Sequence, residues 1–275
     1  MNKEMSRREM LKLGSLTGAA VIGGGLVGNA FATPAAQGEG SMWPWPLPNK
    51  IKTNKAAKLG YENYYVRGCM YGAFTGIVAN VADDLGTPYS NFPFEMMHYG
   101  AGGGELWGSL CGTLNGGLAA LAIFVADTGL RREMANQLMT WYEKTMQPVW
   151  NPTTPLKPVP AKLPKSKAES PLCHVSVGRW VQKSGYDPFS AERADRCGRL
   201  SGSVSEFVAN QLNEALIKGN LVSRKEISKD ADSCLTCHGR GPAGLNEPDI
   251  LSRMNCTPCH DTEVDRTIFP HPEIK

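Results

Sequence analysis

Several common features are missing from this sequence, and each absence narrows what the protein can be. Apolar and polar residues do not alternate over any sustained segment, so no β-sheet is predicted. No segment has the ~20 consecutive apolar residues that a membrane helix needs; the short apolar run 118–126 is typical of a buried core helix. A formal net charge of only +3 gives no indication of nucleic-acid binding. No Ser/His/Asp set, phosphate loop or pair of carboxylates suggests hydrolytic or transfer chemistry.

Cysteine, in contrast, is well represented, and half of the eight cysteines lie in two C-x-x-C-H motifs near the C-terminus. The motif residues are Cys234, Cys237 and His238, followed by Cys256, Cys259 and His260. C-x-x-C-H is the attachment signature of a c-type haem. The two thiols form thioethers with the haem, and the histidine supplies the proximal nitrogen to the iron. The pair of motifs therefore predicts two haem c groups per chain.

A zinc site is the alternative for the same cysteines, because four thiolates with C-x-x-C spacing in two pairs also suit zinc. Such a site would leave His238 and His260 without a role. The tail has few large apolar residues and many Gly, Pro, Asp and Asn, so it cannot bury much by itself. A large apolar cofactor would supply the missing core, and we therefore favour haem.

The N-terminus has the pattern of an export signal. Arg7 and Arg8 precede a Gly-rich, weakly apolar run at 16–27, and Ala30-Phe31-Ala32 matches an A-x-A cleavage site. An ordinary secretory signal or a membrane anchor is the alternative, but the run is short for an anchor and the arginine pair favours the twin-arginine type. We expect cleavage of 1–32 and a periplasmic location. Because this route carries folded proteins, it suggests a second cofactor that is inserted before export.

Helical periodicity elsewhere predicts an all-α fold. We expect an extended arm at 33–55, a helical body at 56–222 and a loop-rich, cofactor-organised dihaem segment at 223–275. Within the body, 148–170 contains six prolines and four lysines and is predicted to be an extended surface linker. The predicted helices are 56–84, 105–127, 130–147, 174–184, 188–198 and 203–217.

The remaining four cysteines, Cys69, Cys111, Cys173 and Cys197, are spread over the predicted body. Two disulfides are one interpretation in an exported protein. Three of the cysteines, however, lie beside glycines in predicted helices, where each glycine costs about 1 kcal/mol relative to alanine. Close packing of helices, or of a bulky cluster against the backbone, would explain this. Four thiolates can ligate a [2Fe–2S] or [4Fe–4S] cluster, and the export route favours a cluster; of the two types we favour [2Fe–2S].

Three stretches carry a resemblance to known proteins: MMHYGAGGG at 96–104, WGSLCGTLNG at 107–116 and PLCHVSV at 171–177. They resemble the helical family named for its C…GCAxxG…C…C cysteine pattern, although Leu110 and Gly112 replace the glycine and alanine that flank its second cysteine. That pattern followed by two C-x-x-C-H motifs is similar to the split-Soret cytochromes c of sulfate-reducing bacteria. The resemblance covers nearly the whole mature chain.

The resemblance implies a periplasmic homodimer in which each chain carries two bis-histidine haems packed near each other. It also implies an iron–sulfur centre on Cys69, Cys111, Cys173 and Cys197. One haem would take an axial histidine from the partner subunit. Other redox proteins of the periplasm would be its partners.

Three histidines lie outside the haem motifs and could complete the two haems: His98, His174 and His271. Two distal ligands are needed, so one histidine should be spare. We expect the spare to be His174, because it adjoins Cys173. His271 lies between two prolines that stiffen the backbone, and His98 precedes a glycine run that leaves room for a haem face. Met254 could substitute as a ligand and would raise the haem potential.

Six-coordinate haems have no open position for a substrate, so these residues predict an electron carrier rather than an enzyme. The alternative is a small multihaem reductase, or an enzyme that handles peroxide or oxygen, with an open position on one haem. The count of histidines, which is enough to close both haems, favours the carrier.

Overall fold

The computed structural model describes residues 43–220 and Met254, and this part of the chain is helical, as predicted. Two isolated β-bridges, Leu110 with Leu172 and Gln147 with Ser166, are its only extended pairings. Among the described residues, no helix is both long and apolar enough to cross a membrane. The helices are α1 (Thr53–Leu85), α2 (Gly112–Phe124), α3 (Thr128–Lys144), α4 (Cys173–Ser184) and α5 (Ala191–Leu212), with 3-10 turns at Tyr89–Asn91 and Phe94–Gly100.

Helix α1 is a helical hairpin, whereas a single helix was predicted over 56–84. Arg67 and Gly68 leave the helical conformation, and Gly68 has a φ of 83°, which favours glycine. The halves 53–66 and 69–85 consequently run back along each other. Lys52 forms an ion pair with Asp84 at 2.9 Å, which joins the two ends of the hairpin. Helical periodicity continues across the turn, so the sequence pattern alone did not reveal it.

Helix α5 packs against both halves of α1 and spans two segments that were predicted as separate helices, 188–198 and 203–217. It begins at the cap Ser190, whose side chain accepts a hydrogen bond from Arg193 N, and it continues through Ser201 and Gly202 without a break. These small residues are buried against α1. The expected end before Gly219 is correct, because a π-helical turn at Asn213–Ile217 closes the helix.

The predicted start of the second helix and the predicted surface position of 148–170 also need correction. Helix α2 begins at Gly112 instead of 105, because Glu105 and Leu106 have positive φ values of 43° and 68° within a turn. The segment 148–170 is extended as expected, but it is not a surface linker throughout. Leu163, Ser166 and Ala168 are buried, so this segment covers one side of the helical body.

Asn213 fixes the start of α1 to the end of α5. Its Oδ1 accepts from Ile51 N at 2.8 Å, and its Nδ2 donates to Ile51 O at 2.9 Å, both in buried surroundings. Asn213→Ala would leave a buried N–H and C=O unpaired, and each costs about 1–3 kcal/mol. We expect the free energy of unfolding in urea to fall by about 2–4 kcal/mol.

The control is Asn210→Ala on the same helix, since that exposed side chain donates only to Glu206 O. The control should change stability by less than about 0.5 kcal/mol. Equal effects of the two substitutions would show that the Asn213 bridge contributes nothing.

A candidate four-thiol metal centre

The four body cysteines are placed by four different helical segments. Cys69 directly follows the turn at Gly68, so it begins the half 69–85. Cys111 is the cap residue of α2, Cys173 is the first residue of α4, and Cys197 lies within α5. All four are free thiols in the structure. Three helix N-termini therefore point towards the thiol cluster, and their N–H dipoles favour thiolates over thiols.

Main-chain hydrogen bonds hold these segments together. Cys111 N donates to Pro171 O at 2.9 Å, and Cys173 N donates to Ser109 O at 2.7 Å. Ser201 Oγ lies 3.1 Å from Cys197 O and 3.4 Å from Cys69 O, so one hydroxyl joins α5 to the hairpin. The positions of the four cysteines are thus set by backbone contacts.

The thiols interact strongly with one another. A hydrogen bond from Cys173 lowers the pKa of Cys111 to about 5, although burial opposes this shift. The same contact and burial raise the pKa of Cys173. Burial, with the charges of Cys111 and Cys197, raises the pKa of Cys69 to about 12. Negative charge is therefore favoured at Cys111 first, and each further thiolate needs a positive counter-charge nearby.

The surroundings of the thiols fit a bulky sulfur-ligated group. A Cβ at Gly112 would lie 2.8 Å from Cys69 Sγ, and a Cβ at Gly103 would lie 2.8 Å from Cys173 Cβ, so glycine is needed at both positions. Among the described residues, no three His, Cys, Asp or Glu side chains are grouped closely enough to ligate one metal ion. The fit to an iron–sulfur cluster therefore rests on the four-thiol donor set and on this close glycine packing.

Several polar side chains that the sequence did not single out lie close to the thiols. Tyr142 donates to Ser176 Oγ at 2.8 Å, and Arg196 Nη2 donates to the same oxygen at 2.8 Å. Cys111 Sγ lies 3.3 Å from Thr113 Oγ1. Arg196 precedes Cys197 in sequence, but nothing in the sequence separates it from the half-buried Arg193 on the same helix.

His98 and His174 are both exposed and are both anchored in the same way. His98 Nδ1 lies 2.9 Å from Arg67 O, and His174 Nδ1 lies 2.8 Å from Gly108 O. This contact leaves Nε2 directed away from the backbone, as in many metal-binding histidines. The exposed side chain of His174 lies outside the thiol cluster, so its position beside Cys173 does not by itself prevent haem ligation. Which histidines are distal stays a prediction.

The C-terminal haem residues, Cys234, Cys237, His238, Cys256, Cys259, His260 and His271, lie outside the described residues, as does the signal 1–32. Met254 is described and is half-buried. Haem attachment at the two C-x-x-C-H motifs therefore remains a prediction from the sequence.

Comparison with known proteins identifies the family of this chain. Residues 71–211 match the family described as "Putative redox-active protein (C_GCAxxG_C_C)". The chain is 32% identical to the split-Soret cytochrome c of Desulfovibrio desulfuricans over 257 residues, covering 88% of this chain and 91% of that protein. It belongs to the split-Soret cytochrome c family. A solved structure of the Desulfovibrio desulfuricans protein, described as having a novel iron centre, superimposes with a TM-score of 0.74 at 33% identity, covering 83% of this chain and 95% of that chain.

Two details of the match with the C_GCAxxG_C_C family concern the cysteines. The matched range begins at residue 71, so Cys69 lies just before it while the other three body cysteines lie within it. Gly112 stands where the family pattern has alanine, and here a Cβ would meet Cys69 Sγ and Gly100 O. The close approach of Cys69 to the start of α2 therefore depends on this glycine.

Restoring the family residue tests that packing. Gly112→Ala would force the backbone of α2 away from Cys69, and overpacking of this kind typically costs about 1–3 kcal/mol. We expect the free energy of unfolding of the full-length protein to fall by this amount.

Gly178→Ala on α4 is the control, because nothing lies within 4 Å of the added Cβ. It should stabilise the protein by about 0.5–1 kcal/mol through helix propensity. A Gly112→Ala protein as stable as the wild type would show that the start of α2 has room to spare.

Proposed function

We propose that this protein transfers single electrons in the periplasm, using two covalent c haems and an iron–sulfur cluster in each chain. The haems would be attached at the two C-x-x-C-H motifs, and the cluster would be held by Cys69, Cys111, Cys173 and Cys197. The observation that carries the proposal is that four helical segments of a cytochrome c homologue each bear a free thiol and are joined by hydrogen bonds beside those cysteines. The export signal at 1–32 supports the location.

Burial of the thiols supports an electron-transfer role. Cys69 and Cys111 are 8% and 4% exposed, so a group bound there would be shielded from water. An iron–sulfur cluster supplies reversible one-electron chemistry when it is bound. The chain's own residues would hold it rigidly, since the backbone contacts of the thiols are already formed. A rigid, water-excluded site suits electron transfer because it needs little reorganisation when the charge changes.

The two anchored histidines connect this site to the surface. His174 directly follows Cys173, and His98 bonds to Arg67 O two residues before Cys69. Exposed apolar side chains adjoin them, including Trp107 at 87% and Met96 at 54% exposure. Such a surface suits the apolar face of a haem from the tail of either subunit. A haem bound through either histidine would then be a few bonds from a cysteine of the cluster.

A homodimer is part of the proposal, with an axial histidine that crosses between subunits. An enzyme with an open haem position is the competing function, and the described residues offer no specific support for it. The two functions differ in the number of haem ligands, which can be measured directly.

The cluster is tested by iron and sulfide analysis of anaerobically purified, full-length protein. We expect iron beyond the two haem irons together with acid-labile sulfide. Cys111→Ser and Cys197→Ser should each abolish most of the extra iron and sulfide, because a cluster needs all four thiolates. The pyridine haemochrome assay provides the internal control and should still give two c haems per chain. Two disulfides, with no labile sulfide in the anaerobic protein, would reject the cluster.

The haem ligands are tested with His98→Ala, His174→Ala and His271→Ala. We expect a high-spin ferric haem in the first and third variants and unchanged haems in the second, while the wild type stays low-spin and does not bind carbon monoxide when reduced. If a ligand crosses between subunits, its loss should also shift the sedimentation of the dimer. A high-spin haem in His174→Ala alone would make His174 a ligand, and carbon monoxide binding by the wild type would favour the enzyme.

A further inference from the structure

One charged side chain near the thiols is buried without a carboxylate partner among the described residues. Arg196 on α5 is 1% exposed. Its Nη1 lies 3.8 Å from Cys197 Sγ, and its Nη2 donates to Ser176 Oγ at 2.8 Å and lies 3.5 Å from Ser176 O. Its Nε has no hydrogen-bond partner among the described residues. No carboxylate in the described part of the chain forms an ion pair with it.

A second buried arginine, one turn further along α5, shows what such a residue usually needs. Arg199 is 0% exposed, and its Nε donates to Asp195 Oδ2 at 2.6 Å. Its remaining N–H groups donate to Asn151 Oδ1, Ala161 O and Pro160 O, at distances of 2.8 to 2.9 Å. Arg199 is therefore neutralised by a carboxylate and almost fully hydrogen-bonded. Arg196 has the same depth and neither of these compensations.

Sulfur is the candidate for the missing counter-charge of Arg196. A buried cation without an opposite charge costs several kcal/mol, so a folded protein keeps one only where a negative group is present for most of its life. Among the described residues that contact Arg196, Cys197 is the one that can carry a negative charge, and its Sγ lies 3.8 Å from Nη1. Thiolates ligated to iron stay deprotonated. Protonated thiols would leave the guanidinium without a partner.

We infer that Arg196 compensates the negative charge of the four-cysteine site and thereby raises the reduction potential of that site. This inference rests on the proposed cluster. Reduction adds one electron from a donor and breaks no bond, so the net negative charge of the site increases by one. A fixed cation within about 4 Å stabilises the reduced form more than the oxidised form. No proton is needed, because the guanidinium is charged in both states.

The test is a redox titration of full-length holoprotein, with dithionite as reductant and the cluster followed by electron paramagnetic resonance. Arg196→Met and Arg196→Gln remove the charge at similar size, and each should disfavour reduction at least tenfold, equal to about 59 mV for a one-electron couple. Arg196→Lys keeps a positive charge and should remain within about threefold of the wild type. The neutral variants should also lose iron to a chelator faster.

The matched control is the double variant Asp195→Asn/Arg199→Met, which removes a buried pair of no net charge from the same helix. It should leave the potential unchanged even if it lowers stability. After chelation of the iron, Arg196→Met should be more stable than the wild-type apoprotein, since an unpaired buried cation is gone. If Arg196 were needed only for packing, its substitution by Met would not shift the reduction potential. The Arg196→Met apoprotein would then not be more stable than the wild-type apoprotein.

The outcomes separate this inference from the proposed function. Wild-type protein without extra iron or labile sulfide would reject the cluster itself. A cluster that is present, with an unchanged potential in both neutral variants, would overturn the role of Arg196 alone. If neither neutral variant accumulates, a cluster-containing Arg196→Lys protein would support a need for positive charge. If none of the three variants accumulates with a cluster, the inference is overturned, because the shape of the arginine side chain and not its charge would then be required.

Discussion

The close approach of α5 to the α1 hairpin is the constraint on which the rest of the structure depends. Small residues make it possible: a Cβ at Gly76 would lie 2.7 Å from Ala56 O and 2.5 Å from Ser205 Oγ. Ser205 Oγ also lies 3.1 Å from Ala73 O across the contact. Without this approach, Cys69 on the hairpin and Cys197 on α5 could not share one hydroxyl, that of Ser201. The glycines near the cysteines are therefore explained by helix packing as well as by space for a cofactor.

Two positively charged side chains of α5, Arg196 and Arg199, are buried in the interior. Arg199 pairs with Asp195. The same carboxylate accepts hydrogen bonds from Tyr61 and Tyr65 at 2.5 and 2.6 Å. This network ties the hairpin, α5 and the extended segment 148–170 together. Arg196 instead contacts the sulfur of Cys197, and among the described residues no carboxylate balances its charge. A buried polar interior is tolerated in a helical protein when every charge has a partner, and here one partner is the candidate metal centre.

The sequence predicted the all-α fold class, because helical periodicity is a local pattern. The four-cysteine ligand set was proposed from residue chemistry and stays a prediction. The sequence did not predict the turn at Gly68, since helical periodicity resumes immediately after a two-residue break. The single helix α5 was divided in two because Ser201 and Gly202 have low helix propensity, which tertiary packing overrode. Leu163 and Ala168 were assigned to the surface by the prolines and lysines around them. Arg196 was missed because sequence does not show which of several arginines is buried.

The predicted twin-arginine signal, if correct, would require the helical body to fold before export. The core of the described body includes the fully buried Phe74, Leu114 and Leu138. The thiols are positioned by main-chain contacts within that body, so a cluster could be inserted as soon as the body folds. Covalent haem attachment needs only the motifs of the tail, which has little apolar content of its own. A body that folds with its cluster first and a tail that is completed by haem later would use both the twin-arginine route and a c-type haem without conflict.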